Sequence, residues 1–338
     1  MKYAWYLLFL PSFHPVLMCQ ETQFRSFYQN QGIYNPAANS KILTPQFTYL
    51  ARWQWISYYT SFDGSGGEPI SQQLLFMYPF PKTGVTLSSF FLQDQLGPLR
   101  NNSIQGSLSY RVKISRQEYL SFGIASSYSY RYLQHDLYRS HIPEDPLILS
   151  FSSSPTEDPY FHSGIYYQTQ TIAVGMGIRN LWIREENPNP STNVSPAHIR
   201  SYLHGSYVFH LNRKISTRID KKRRKRIRQK THLSLSPRFL FQTDYKKLHT
   251  LNMSMNLNYH QQFELELGTR NVESTSIMVG YHLLYEKNLF LGCAFDLSVQ
   301  HQQVKSPSSY EILLNYRLPN FSREKKPIQT PRYIHESF

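Results

Sequence analysis

Two cysteines in 338 residues, Cys19 and Cys293, leave little room for a disulfide framework, and if the first is lost with a leader the second has no partner in the chain. Charge is scarce as well. Asp, Glu, Lys and Arg are 17% of the residues and apolar types 40%, both below the usual values for soluble domains (about 25% and 45–50%). A heavily solvated surface and a large dry core are therefore both disfavoured. After residue 19 no segment supplies the roughly 18 consecutive apolar residues of a membrane-crossing helix, which excludes a helical bundle in a bilayer. The chain also lacks H-x-H, H-E-x-x-H, a Cys cluster, a phosphate-binding Gly loop and G-x-S-x-G. No cofactor, metal or catalytic residue is expected, and the chain reads as non-enzymatic. What it has in quantity is rings, with 26 Tyr, 21 Phe and 4 Trp, and these argue against general disorder.

The formal charge of +14 is concentrated in one place. From Arg213 to Lys230 eleven basic residues face a single acid, Asp220, so this stretch carries +10 and the remaining 320 residues carry +4. Basicity thus belongs to one loop, which removes the argument for a nucleic-acid partner. The run Lys221, Lys222, Arg223, Arg224, Lys225, Arg226 reads as a self-repelling loop, either merely solvated or meeting anionic headgroups or an acidic partner. At the other end of the chain, Lys2 followed by the apolar stretch from Tyr3 to Phe13 looks like an export signal covering residues 1–19, with cleavage near Cys19 favoured over its lipidation.

Alternation with period two recurs through the rest. Leu289, Leu291, Cys293, Phe295, Leu297 and Val299 alternate with Gly292, Ala294, Asp296, Ser298 and Gln300; Leu120, Phe122 and Ile124 alternate with Ser121, Gly123 and Ala125. Such segregation belongs to strands with two unlike faces. A sandwich with one wet face would alternate too. The polar positions here are small and mostly uncharged, the rings sit near strand ends and the chain carries an export signal, which together favour a transmembrane barrel. The expected fold is all-β: an antiparallel β-barrel of about 14 strands over residues 45–318, preceded by a short periplasmic or plug segment at 20–44 and followed by a tail at 319–338. Its eighth strand is read as one run, His198–Asn212.

The connections alternate in length. Those after the even strands are tight, at Pro81 and Lys82, Ser115 to Gln117, Gln170, Gln261, and Glu286 and Lys287; the long ones fall on the other side and would face outward. The basic stretch is the exception and lands in the periplasm. On the outer side, the loop from Tyr132 to Asp158 exposes Tyr138, Ile142, Leu147, Ile148 and Leu149, more apolar area than a free loop should carry, and is a candidate partner-binding surface. Arg52, Arg111, Arg179 and Arg238 fall on lumen-facing positions, where with Asp94, Asp296 and Glu311 they could form a network. His204, Ser206 and His210 share a face and read as lumen polar groups, not metal ligands.

Ahead of the first strand, Gln23 to Asn30 and then Gly32, Ile33, Tyr34, Asn35, Pro36, Ala37, Ala38 resemble the opening of the PorP/SprF family of outer-membrane proteins associated with type IX secretion in Bacteroidetes. Arg52, Trp53, Gln54, Trp55, then Asp94 to Pro98, and Gly175, Met176, Gly177, Ile178, Arg179, Asn180, Leu181 extend the resemblance, while the basic stretch and the tail from Arg323 depart from it. The resemblance implies an outer-membrane protein that supports export or surface anchoring of adhesin-like cargo through the cargo's C-terminal sorting domain, within gliding and secretion machinery. Its implied partners are outer-membrane lipid, such cargo and other secretion components. Tyr34, Asn35 and Pro36 are read as a structural elbow or a partner contact: Pro36 fixes its own φ and biases Asn35 to extended backbone. A diffusion porin or a transporter for small or hydrophobic solutes is the alternative function, and a secreted all-β binding protein a third.

Overall fold

The computed structural model describes residues 24–55, 68–97, 99–133, 156–181, 199–214, 230–245, 249–271, 273–283, 288–299 and 308–318. The expected leader at 1–19, the candidate partner-binding residues Tyr138, Ile142, Leu147, Ile148 and Leu149, the basic run Lys221 to Arg226 and the expected tail at 319–338 lie outside the described residues.

The described strands are β1 (Gln46–Gln54), β2 (Ile70–Phe80), β3 (Val85–Leu96), β4 (Leu99–Lys113), β5 (Tyr119–Leu133), β6 (Thr156–Gln168), β7 (Ile172–Arg179), β8 (Arg200–Tyr207), β9 (Phe209–Lys214), β10 (Lys230–Thr243), β11 (His249–Tyr259), β12 (Phe263–Arg270), β13 (Ser274–Leu283), β14 (Leu289–Ser298) and β15 (Ser308–Arg317). Every neighbouring pair is antiparallel, and β1 pairs with both β2 and β15, so the ladder closes on itself. The eighth expected strand is divided. Val208 separates β8 from β9, because β7 begins only at Ile172 and its last bond on this side is Val208 N–H to the Thr171 carbonyl (2.8 Å). From there β9 pairs with β10 alone. Counted as staves, β8 and β9 are one, and the barrel has fourteen.

Period-two alternation builds the wall. Outward positions such as Leu74, Leu87, Ile104, Ile124, Ile165 and Leu267 are exposed, and inward ones such as Gln73, Ser109, Ser121, Gln242, Asn256 and Asn315 are buried. With no water in a bilayer core, a closed ladder is the one sheet that satisfies all its backbone groups there. Tight turns join the strands at the end where β1 begins. One is made by His260 and Gln261, both in the left-handed region (φ 54° and 55°), the geometry of a two-residue type I′ hairpin. Gly84 closes another at φ 75°.

The inner face departs from the expectation of small polar residues in one sector. Leu50, Leu75, Met77, Phe90, Leu92, Phe290 and Leu313 point inward from β1, β2, β3, β14 and β15 and are buried. They are dry because Phe24 and Ile33 of the N-terminal segment pack on them.

Candidate functional site: the plugged lumen

Residues 24–41 lie inside the barrel. Two 3-10 turns, Phe27–Asn30 and Pro36–Lys41, flank a single α-turn, Gln31–Tyr34, and most of the segment is buried. So short a helical element has no stability of its own; the barrel wall holds it in shape.

Asn35 is the centre of the seat. Its Oδ1 accepts from the Ala37 N–H (3.0 Å), capping the second 3-10 turn, and its Nδ2 donates to the Ile165 carbonyl of β6 (2.9 Å) and lies 3.0 Å from His204 Nε2 of β8. The wall facing it is glycine. A Cβ on Gly177 would stand 2.1 Å from the Tyr34 carbonyl oxygen, one on Gly164 2.0 Å from Asn35 Oδ1, and one on Gly123 2.2 Å from the Ala37 nitrogen. The plug backbone thus rests directly on the sheet at β5, β6 and β7, an approach only glycine permits. Elsewhere side chains make the contacts. Asn30 and Gln73 bond through their amides, Asn39 donates to Ser88 (2.7 Å), and Ser40 donates to Ser121 (2.7 Å).

The beginning of the plug is fastened electrostatically. Glu311 of β15 accepts from the Arg25 N–H (2.6 Å) and from the Ser26 hydroxyl (3.1 Å), and pairs with Arg52 of β1 (2.7 Å). Asp296 of β14 pairs with Arg25 (2.7 Å) and with Arg52 (3.2 Å). All four side chains are at most 8% exposed, so removing one partner would strand a charge out of water. Farther round the wall Arg238 of β10 pairs with Glu266 of β12 (2.5 Å) and stacks over the Tyr28 ring (3.9 Å to its centroid).

Of the residues singled out in the sequence, Arg52, Asp296 and Glu311 meet in this cluster, and Arg238 lies apart from it on β10. Arg179 is half-buried near the end of β7, and Arg111 lies at the rim on the side of the tight turns, over the Tyr119 ring (4.9 Å). Asp94 accepts from Ser71 (2.5 Å) apart from the cluster. Tyr34, Asn35 and Pro36 are enclosed in the lumen, and the Asn35 amide is bonded to the wall, a placement that suits the structural elbow. His204 is buried under Asn35 whereas His210 is exposed, and no group of three or more His, Cys, Asp or Glu suited to a metal exists among the described residues. Sequence reasoning passed over Arg25, Glu266 and the glycine seat. The glycines carried a signal, since Gly123, Gly164, Gly175 and Gly177 all occupy inward positions of strands, where glycine weakens pairing unless something must come close.

A closed sheet with an apolar outside and a polar inside, filled by its own N-terminal segment, defines an outer-membrane β-barrel of the plugged kind. A family model described as "Type IX secretion system membrane protein PorP/SprF" matches residues 17–316, and the chain belongs to that family. It is a type IX secretion protein of the outer membrane. No curated protein matches the chain. Among solved structures it is similar to the Acinetobacter baumannii outer membrane protein Omp33 (7% identity, TM-score 0.43, 82% of this chain and 99% of that one). It is also similar to a Pseudomonas aeruginosa FadL homologue (11%, 0.44, 84% and 92%) and to the CymD monoaromatic hydrocarbon channel (11%, 0.49, 85% and 92%).

Proposed function

We propose that this barrel is a non-enzymatic anchoring component of type IX secretion, which retains or helps export adhesin-like cargo by binding the cargo's C-terminal sorting domain with its outer loops and rim. Family membership supplies the system. The observation that carries the choice of mechanism is the buried plug: a lumen crossed by residues 24–41, bonded to β2, β3, β5, β6, β8, β14 and β15, is a poor conduit and a rigid platform. The one Ser–His contact described on the inner face, Ser127 Oγ with His162 Nε2 (2.7 Å), is turned against catalysis: His162 Nδ1 accepts from the Asn180 N–H (3.1 Å), so the ring proton sits on Nε2 and is donated to Ser127, which favours binding over catalysis. The loop between β5 and β6, with its Tyr138, Ile142 and Leu147 to Leu149, is the cargo contact this reading favours. Deleting residues 134–155 in the producing bacterium tests it. Cargo is expected to appear in the medium while the barrel stays heat-modifiable on gels; cargo retained at the cell surface as before would refute the reading. Conductance is the second arm, since a steady open pore in planar bilayers would favour the porin alternative.

A further inference from the structure

The lipid side of the barrel is not uniformly convex. Ser89, Gly106 and Ser126 stand in register across β3, β4 and β5, all facing outward and exposed. Nothing lies within 4 Å of where a Gly106 Cβ would be. Beside this floor the next register row, Leu87, Leu108 and Ile124, forms an apolar wall, and Phe76 and Phe161 close the floor row at its two ends. The result is a groove of about 900 Å³, within the range of small-molecule sites, about 300–1,000 Å³. A surface that met only fluid lipid would carry bulky apolar residues here, as most of the outward face does; two hydroxyls and a glycine make room instead.

The registers also give the groove its course. Its wall row starts at Tyr78, two residues from the periplasmic end of β2, and reaches Ile178, one residue from the outer end of β7. The strands of a barrel tilt, so a row perpendicular to them climbs obliquely through the bilayer. At the low end the periplasmic rim is basic. Lys82 lies in the β2–β3 turn, Lys113 and Arg116 at the β4–β5 turn, all exposed, with Glu118 the one acid in either turn. The Arg111 N–H to Gly84 carbonyl bond (2.9 Å) ties the two turns together.

We propose that this groove is a specific site for an anionic glycerophospholipid of the periplasmic leaflet, its acyl chain lying over Ser89, Gly106 and Ser126 and its phosphate held by Lys82, Lys113 and Arg116. Charge complementarity selects this occupant. A second copy of the chain docked face to face on this surface would bring the same cations opposite one another. The test uses the full chain in nanodiscs of equal parts phosphatidylglycerol and phosphatidylethanolamine, with lipids retained after mild detergent extraction counted by native mass spectrometry. Wild type is expected to keep one phosphatidylglycerol in preference to phosphatidylethanolamine. Lys82→Gln and Arg116→Gln should each lower that retention roughly five-fold, and Gly106→Leu, which fills the floor with a lipid-compatible side chain, should abolish it. Equal retention of the two lipids, a Gly106→Leu barrel that keeps its lipid, or a dimer through this face would overturn the proposal. The two turn variants lie outside the ladder, so they remain decisive should Gly106→Leu fail to fold.

Discussion

Gly177→Ala is the smallest change that should loosen the plug without touching the lipid face. The added Cβ would stand 2.1 Å from the Tyr34 carbonyl oxygen, whereas ordinary contact begins at 3.4 Å, so one side must retreat by 3.4 − 2.1 = 1.3 Å. β7 is laddered to β6 and β8 and cannot move alone; the plug yields. A retreat of that size takes Asn35 Nδ2 out of reach of the Ile165 carbonyl, now 2.9 Å away, and of His204, now 3.0 Å away. Overpacking of this kind costs about 1–3 kcal/mol and each buried bond left unmade about 1–3 kcal/mol. A total of roughly 3–9 kcal/mol raises the undocked population by about two to six orders of magnitude. The assay is conductance of the purified barrel in planar bilayers, alongside Gly106→Ala as an outward control with open space at its Cβ and a deletion of residues 24–41 as the open reference. Wild type and the control should be quiet, Gly177→Ala should open frequently, and the deletion should conduct steadily. A Gly177→Ala barrel as quiet as wild type, beside a conducting deletion, would refute the account of the glycine seat.

Two further perturbations address the ends of the plug. Glu311→Gln removes the charge that Arg25, Ser26 and Arg52 share, leaves two guanidinium groups to Asp296 alone and should weaken docking by about 3 kcal/mol; limited trypsin digestion should then cut after Arg25, and undiminished protection would contradict the latch. Lys41, half-buried near the mouth on the side of the tight turns, is pushed down to about 7 by burial and then by Arg238 and Arg317. The docked plug therefore favours the neutral amine, and between about pH 7 and the ordinary lysine range the undocked state binds the extra proton, so docking tightens as pH rises through that window. Hydrogen exchange of residues 27–41, corrected for its intrinsic pH dependence, should show rising protection from neutral to alkaline pH in wild type and none of that rise in Lys41→Met.

The strands could be read in the sequence because a wall with lipid on one side and polar groups on the other imposes period two on every residue it contains. The break at Val208 could not, since it interrupts no alternation; it arises where β7 has not yet begun and β9 lacks a neighbour on that side. The inward Leu50, Leu75 and Leu313 were equally illegible, because their being dry depends on Phe24 and Ile33, distant in sequence and outside the barrel strands. Arg25 sits before any periodic segment and gave no signal, whereas Arg52 and Asp296 stood out as charges at inward strand positions. The N-P-A motif was visible, but its role was not. Whether Asn35 serves a turn or a partner depends on what stands opposite, and that is set by glycines some 130 to 140 residues later in the chain.

The fastening of the plug has a bearing on how the molecule is made. Arg25 and Ser26 are bound by β14 and β15, and Arg52 lies on β1, so the cluster straddles the seam where the first and last strands of the chain meet. Seam closure and seating of the segment therefore reinforce one another: the carboxylates of the last two strands are partnered by Arg25 of the segment and Arg52 of the first strand, so the complete ion cluster needs both the meeting of the ends of the sheet and the seated segment.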